Sequence, residues 1–182
     1  MPTTATRLIT AAEYMAMPDD GTRTELVRGD IVTMSHPQGE HGLVQGLIYM
    51  LVNLLVRANK LGWVMCEVGV HTEYDPDSVR GPDVFFVSLK QCPKRPQGWF
   101  TIPPDLVVEV LSPGDRPGET RAKVREYLDA GVKLIWVVEP KTKSVVVHAG
   151  SMQGTKLGEA DTIDGGDVLP GFTCVVADFF AD

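Results

Sequence analysis

Pro104-Asp105-Leu106-Val107-Val108-Glu109-Val110-Leu111-Ser112-Pro113 is the stretch on which the reading of this chain turns. A near-continuous apolar run closed by proline at both ends is the pattern of a central strand covered on both faces. Glu109 interrupts it where a carboxylate loses its hydration, and a buried glutamate is rarely tolerated without a partner. Upstream, Gly81-Pro82-Asp83-Val84-Phe85-Phe86-Val87 puts a second acid at the mouth of another apolar strand. Alone, a Pro-Asp step reads as a turn or cap. Together the two acids call for a cation to keep them charged, and a divalent metal with a nearby lysine makes a device for activating water against a phosphodiester.

Working outward, Glu119 to Ala130 reads as a helix carrying Lys123 and Tyr127 on one face, ended by Gly131 in the C′ position. Leu134 to Val138 and Ser144 to His148 read as two more strands. Leu43, Leu47, Ile48, Leu51, Leu54 and Leu55 recur at helical spacing between Glu40 and Lys60 and predict a long amphipathic helix packed on a sheet. Trp63 to Tyr74 alternates as one strand, broken by a loop at Asp75-Pro76-Asp77-Ser78. Nearer the start, Thr10 with Glu13 forms a capping-box pattern for a short helix that Pro18-Asp19-Asp20-Gly21 ends. Glu25-Leu26-Val27 and Ile31-Val32 flank Arg28-Gly29-Asp30 as a hairpin. Lys90 to Pro103 reads as an exposed loop. The Gly- and Asp-rich tail from Gly150 holds short strands and a terminal helical turn over Val176 to Phe180.

A chain of 182 residues with 43% hydrophobic content can fill one core, and a single domain is expected, its core at about 10–148 and a tail at 149–182. Three scattered cysteines, Cys66, Cys92 and Cys174, offer no zinc spacing and fit reduced thiols in a cytoplasmic protein. Met1 to Arg7 has no leader-like apolar segment, and the apolar runs read as too short for a membrane span. The net charge of −7 argues against a strong nonspecific nucleic-acid binder. Its distribution softens that: Val84 to His148 holds 10 basic and 7 acidic residues, around Glu109 and Lys123. A homodimer joining two such segments is the expected form.

Taken in order, Glu25-Leu26-Val27-Arg28-Gly29-Asp30-Ile31-Val32, Glu40-His41, Pro82-Asp83-Val84, Pro104 to Pro113, Lys123 with Tyr127, Ala130-Gly131-Val132 and Trp136-Val137-Val138-Glu139-Pro140 resemble the Uma-two family, a branch of the PD-(D/E)xK restriction-endonuclease-like superfamily. The resemblance implies a mixed β-sheet flanked by helices and a metal-dependent nuclease acting on DNA. Asp83 would be the first acid and Glu109 the second, holding Mg²⁺ or Mn²⁺ with the Val110 carbonyl. Leu111 stands where the superfamily's simplest motif has lysine, and Lys123 is the substitute from the next helix. Glu25 matches an accompanying acid near the metal, its water or the lysine.

Other residues keep two readings. His41 is a capping or packing histidine or a substrate contact, and Tyr127 packs in the core, steadies Lys123 or touches a phosphate. Trp63 and Trp136 read as core, whereas Trp99, beside Lys94 and Arg95, is the candidate for stacking on a base. Asp105 caps a strand turn, and Glu139 is a strand-end acid. Two rivals to the nuclease remain: a binding module that kept the fold and lost turnover, and a structural metal site or buried acid cluster in an unrelated protein. The position of Lys123 relative to the acids separates the first rival from the enzyme.

Overall fold

A computed structural model describes residues 7–18 and 20–181. The expectations for the segment before Arg7 and for Asp19 in the helix breaker lie outside the described residues. Helix α1 (Ala11–Met15) starts with the predicted capping box, Glu13 N–H donating to Thr10 and Thr10 N–H donating to the Glu13 carboxylate at 3.0 Å. Strands β1 (Thr24–Val27) and β2 (Asp30–Thr33) form the hairpin. Its two loop residues, Arg28 and Gly29, have φ of 50° and 84°, as a tight primed turn requires.

After helix α2 (Gly39–Ala58) come β3 (Gly62–Met65), β4 (Val70–Glu73), β5 (Ser78–Arg80), β6 (Val84–Ser88) and β7 (Leu106–Val110). Helix α3 (Pro117–Ala130), β8 (Leu134–Glu139) and β9 (Ser144–Ala149) follow, then the short β10 (Thr155–Leu157), β11 (Thr162–Asp164) and β12 (Thr173–Val175). The main sheet runs β10-β9-β8-β7-β6-β3, with β7 and β8 parallel and the other pairs antiparallel. α3 is the crossover that a parallel pair needs. Every residue of β7 is buried, as its apolar run predicts.

The period of two along the central strands divides the core. Val84, Phe86, Val108 and Val110 face α2, meeting Val44, Ile48, Val52 and Val56. Phe85, Val87 and Val107 face α3, meeting Val124 and Tyr127. A second sheet, β2-β1-β5-β4, sits alongside with Ala11, Leu26 and Val79 as its own small core. The result is the mixed sheet flanked by helices expected from sequence.

Four expectations need correction. Trp63 to Tyr74 is not one strand: the chain leaves the main sheet after Met65 and enters the second sheet at Val70. Glu67 makes the break, with φ of 56° and its N–H on the Pro82 carbonyl at 2.8 Å. The segment after Asp75 includes strand β5, which delivers Arg80 toward β1. The tail is part of the core, since Ile163, Leu169, Phe172, Val176 and Phe179 are buried and Phe172 and Phe179 lie against Trp136. Lastly, α2 has 20 residues and a mean hydropathy of 1.3, enough by length and composition to cross a bilayer. In the fold Val44, Ile48, Val52 and Val56 lie on the sheet, whereas Leu43 and Leu54 of the predicted stripe are exposed, so the buried stripe is rotated from the leucine pattern.

Candidate active site

Antiparallel pairing of β6 and β7 sets Val84 opposite Val108. Asp83 lies one residue before β6, beside the end of β7 that carries Glu109. The Val110 N–H donates to Asp83 Oδ2 at 2.7 Å, which ties the acid to the strand that carries the other. From α2, His41 Nε2 approaches the same oxygen at 3.3 Å, and the Gln45 side chain donates to the Asp83 carbonyl at 2.9 Å. The Asp83 contact raises the His41 pKa, and the Nδ1 of this buried ring has no hydrogen-bond partner among the described residues.

Glu109 points toward α3. Its Oε2 accepts from Lys123 Nζ at 3.0 Å and its Oε1 from the Tyr127 hydroxyl at 2.6 Å. Lys123 also lies 3.4 Å from Glu25 Oε1. The helical spacing that put Lys123 and Tyr127 on one face therefore brings both onto one carboxylate. Leu111 stays at the strand end as an apolar neighbour of that face.

Arg80 and Glu126, which sequence reading passed over, complete the array. Arg80 Nη1 donates to Glu25 Oε2 at 3.0 Å, and its Nε donates to Glu126 Oε1 at 2.9 Å. Glu25 also accepts from the Gly81 N–H at 3.1 Å. Arg80 follows the dipeptide Ser78-Val79 in a strand too short for a periodic signal, and Glu126 reads as one more surface acid on α3. The adjacency of Glu126 to Tyr127 was the available hint. A cleft of about 450 Å³ opens on this array, lined by Glu25, Arg80, Glu109, Val110, Lys123 and the N-terminal half of α3.

The acids of the cluster differ in how well their charge is supported. Burial, with the carboxylates of Asp83 and Glu25 nearby, raises Glu109 to about 7 despite Lys123 and Tyr127. Burial would raise Glu25 as well, but Lys123 and Arg80 outweigh it and hold that carboxyl below its ordinary value. Lys123 is held charged against its own burial by Glu109 and Glu25. Four acids, Glu25, Asp83, Glu109 and Glu126, meet Arg80, Lys123 and His41, the last drawn toward its charged form by Asp83. A divalent cation beside Glu109 would favour its ionised form. The donor set is hard oxygen, as Mg²⁺ and Mn²⁺ prefer. Among the described residues no three acid, histidine or cysteine side chains form a ready-made cage, so a metal here would draw on backbone oxygen and water as well.

The remaining candidates divide. Tyr127 has no exposed surface and cannot touch a phosphate, because its ring fills the α3 side of the core. His41 is buried on Asp83 and not presented outward. Trp99 does not stand free as a stacking platform: its ring lies 5.2 Å from Tyr14 and covers Gly69. Lys94 and Arg95 are exposed on their loop, on a different element from the array. Asp105 is buried, accepting from the Ser88 N–H at 2.8 Å and Lys133 Nζ at 2.5 Å.

With the geometry in hand, comparison with known proteins is specific. The family model for Uma2, described as "Putative restriction endonuclease", matches residues 11–177. Among solved structures the chain is similar to a protein from Anabaena variabilis ATCC 29413 described as "a putative nuclease belonging to DUF820". The TM-score is 0.82 at 20% identity, covering 94% of this chain and 97% of that one. At that identity the likeness is one of fold. No curated protein matches the chain.

Proposed function

This chain belongs to the Uma2 family of restriction-endonuclease-like proteins, and on that premise we propose that it is a metal-dependent endonuclease hydrolysing DNA phosphodiester bonds. The observation that carries the reading is Lys123, whose Nζ lies 3.0 Å from Glu109 and 3.4 Å from Glu25 although Leu111 holds the usual lysine position. A lysine that reached neither acid would favour a binding module without turnover.

In this reading Asp83, Glu109 and the Val110 carbonyl hold Mg²⁺ or Mn²⁺. When bound, the metal supplies Lewis-acid polarisation of a phosphate oxygen and acidifies water. The protein's own groups do the rest. Glu25 and Glu109 keep Lys123 charged and aimed at the reacting phosphate, where an ammonium offsets the negative charge that builds in the transition state. Arg80 anchors Glu25 from behind, and Tyr127 fixes the rotamer of Glu109. His41 and the Val110 N–H do the same for Asp83. Two copies acting together would bring two of the basic middle segments to one duplex, in keeping with a net charge of −7 that disfavours tight binding by one copy.

The test is cleavage of plasmid and single-stranded DNA by purified protein with Mg²⁺, Mn²⁺ or EDTA, alongside Asp83→Ala, Glu109→Ala and Lys123→Ala. Metal-dependent cutting lost in all three variants is the expected result. Metal binding without cutting would turn the reading to a DNA- or partner-binding module, and no metal binding at all would remove the site.

A further inference from the structure

Helix α2 carries two apolar stripes, and only one of them is used. Val44, Ile48, Val52 and Val56 are at most 4% exposed against the sheet. On another face, Leu43 is 71%, Met50 46% and Leu54 63% exposed. With half-buried Leu47 between them, and exposed Glu40 and Arg57 at the ends, these residues recur at spacings of 3, 4, 3, 4 and 3. That is the alternation of a and d positions in a coiled-coil seam, Glu40, Leu47 and Leu54 in one row and Leu43, Met50 and Arg57 in the other. The face is open: a side chain added at Gly42 or Gly46 would meet nothing within 4 Å. Neither Glu40 nor Arg57 has an ion-pair partner among the described residues.

We propose that this stripe is a two-fold interface with a second copy of the same chain, α2 packing antiparallel on α2. Antiparallel seams set a positions against d positions, and here the layers complete themselves. Leu47 meets Met50 of the second copy, Leu43 meets Leu54, and Glu40 meets Arg57. Each layer recurs on the other side of the axis, the self-complementarity a two-fold contact requires. A parallel pair would set Glu40 on Glu40 and Arg57 on Arg57, so charge selects the antiparallel arrangement. A helix lying on a lipid surface would carry a basic polar face opposite its apolar one, whereas the opposite face of α2 is committed to the sheet. His41 and Gln45 lie off the seam, so pairing leaves Asp83 and its contacts in place. The dimer does not depend on cleavage and can fail or stand without it.

Sedimentation velocity from about 1 to about 200 micromolar, a range that reads modest dimer affinities, tests the interface. Dimer is expected for the unaltered chain and monomer for Leu47→Glu, each with an unchanged far-ultraviolet spectrum. Glu40→Arg and Arg57→Glu should each weaken the dimer about tenfold through like-charge contact, and the two together should restore it. Register is read by oxidation. Leu47→Cys with Met50→Cys should give a disulfide-linked dimer, and Leu47→Cys alone should not. Monomer throughout the range, a joint charge variant as weak as its parents, or crosslinking by Leu47→Cys alone would overturn the proposal. So would a monomer that floats with lipid vesicles and is released by Leu54→Glu, since a membrane would then be what covers the stripe.

Discussion

Asp105 and Glu109 stand at the two ends of β7, 4% and 9% exposed, and have opposite electrostatic fates. Burial works against the charge on Asp105, but Lys133 and the Ser88 N–H overcome it and hold the carboxyl below its ordinary value. Glu109 must share Lys123 with Glu25 while Asp83 stands across the strand pair, and burial leaves it at about 7. One acid is balanced and the other is not. The two Pro-Asp steps differ likewise: Pro104-Asp105 closes a strand entry with its own lysine, whereas Pro82-Asp83 is paired with His41 and adds to the field that raises Glu109. A buried acid matched by its own cation holds the fold, and one raised by its neighbours is where a further cation would change the charge most.

The largest test of that contrast exchanges the two kinds of acid. Asp83→Ala or Glu109→Ala should lower metal-dependent DNA cleavage by about 10³-fold or more, the scale of removing a metal ligand or a preorganised charge. Asp105→Asn should leave cleavage essentially unchanged while costing about 1–3 kcal/mol in a urea melt, because it weakens a buried hydrogen-bonded ion pair. Equal sensitivity of cleavage to all three would show that the ends of β7 are not functionally distinct.

A second test uses pH on metal-free protein. The folded-state pKa of Glu109, at about 7, lies above the ordinary 4.5, so its contribution to stability is present below about pH 4.5 and lost as pH rises through about 7. Asp105 has the reverse sign: its contribution is present above its ordinary 3.8 and lost on acidification. Unfolding in EDTA should therefore show the unaltered chain losing about 3 kcal/mol relative to Glu109→Gln between about pH 5 and about pH 8. Mg²⁺ should recover that loss at the alkaline end. A difference between the two proteins that stays flat with pH would mean that Lys123 and Tyr127 satisfy Glu109 fully.

Much of this was legible in the chain because burial leaves a periodic trace. The apolar run of β7, the length of α2 and the helix carrying Lys123 and Tyr127 all show in residue spacing, whereas the stripe of α2 that meets the sheet does not, because leucine recurs on more than one of its faces. The turn at Glu67 does not, because the alternation from Val64 to Val70 runs through it and only a positive φ redirects the backbone. Arg80 was invisible for a similar reason. A three-residue strand has no period, and the value of this arginine comes from Glu25 and Glu126, 55 and 46 residues away. The tail reads as polar because Gly and Asp dominate it, yet its few large side chains are buried in the core, Phe172 and Phe179 against Trp136 and Leu169 beside them in the same cluster. For Tyr127, spacing shows the face and core packing is among its readings; the structure bears out that depth and adds the bond to Glu109.

That depth gives the smallest effect and the sharpest assignment. The Tyr127 hydroxyl donates to Glu109 Oε1 at 2.6 Å, a bond that favours the ionised acid. Tyr127→Phe keeps the ring in the core and removes only the donor. It should push the Glu109 carboxyl further up and move the alkaline-rising limb of the cleavage profile upward by as much as about one pH unit, equivalent to a single hydrogen bond of about 1 kcal/mol. At still higher pH the rate should return close to that of the unaltered enzyme, because the acid ionises without help once the solution is alkaline enough. The matching deletion at the other end of the strand, Lys133→Met, should lower stability and leave the cleavage profile where it was. A profile unmoved by Tyr127→Phe would make the tyrosine a packing residue, leaving Lys123 as the one side chain of α3 that governs the charge on Glu109.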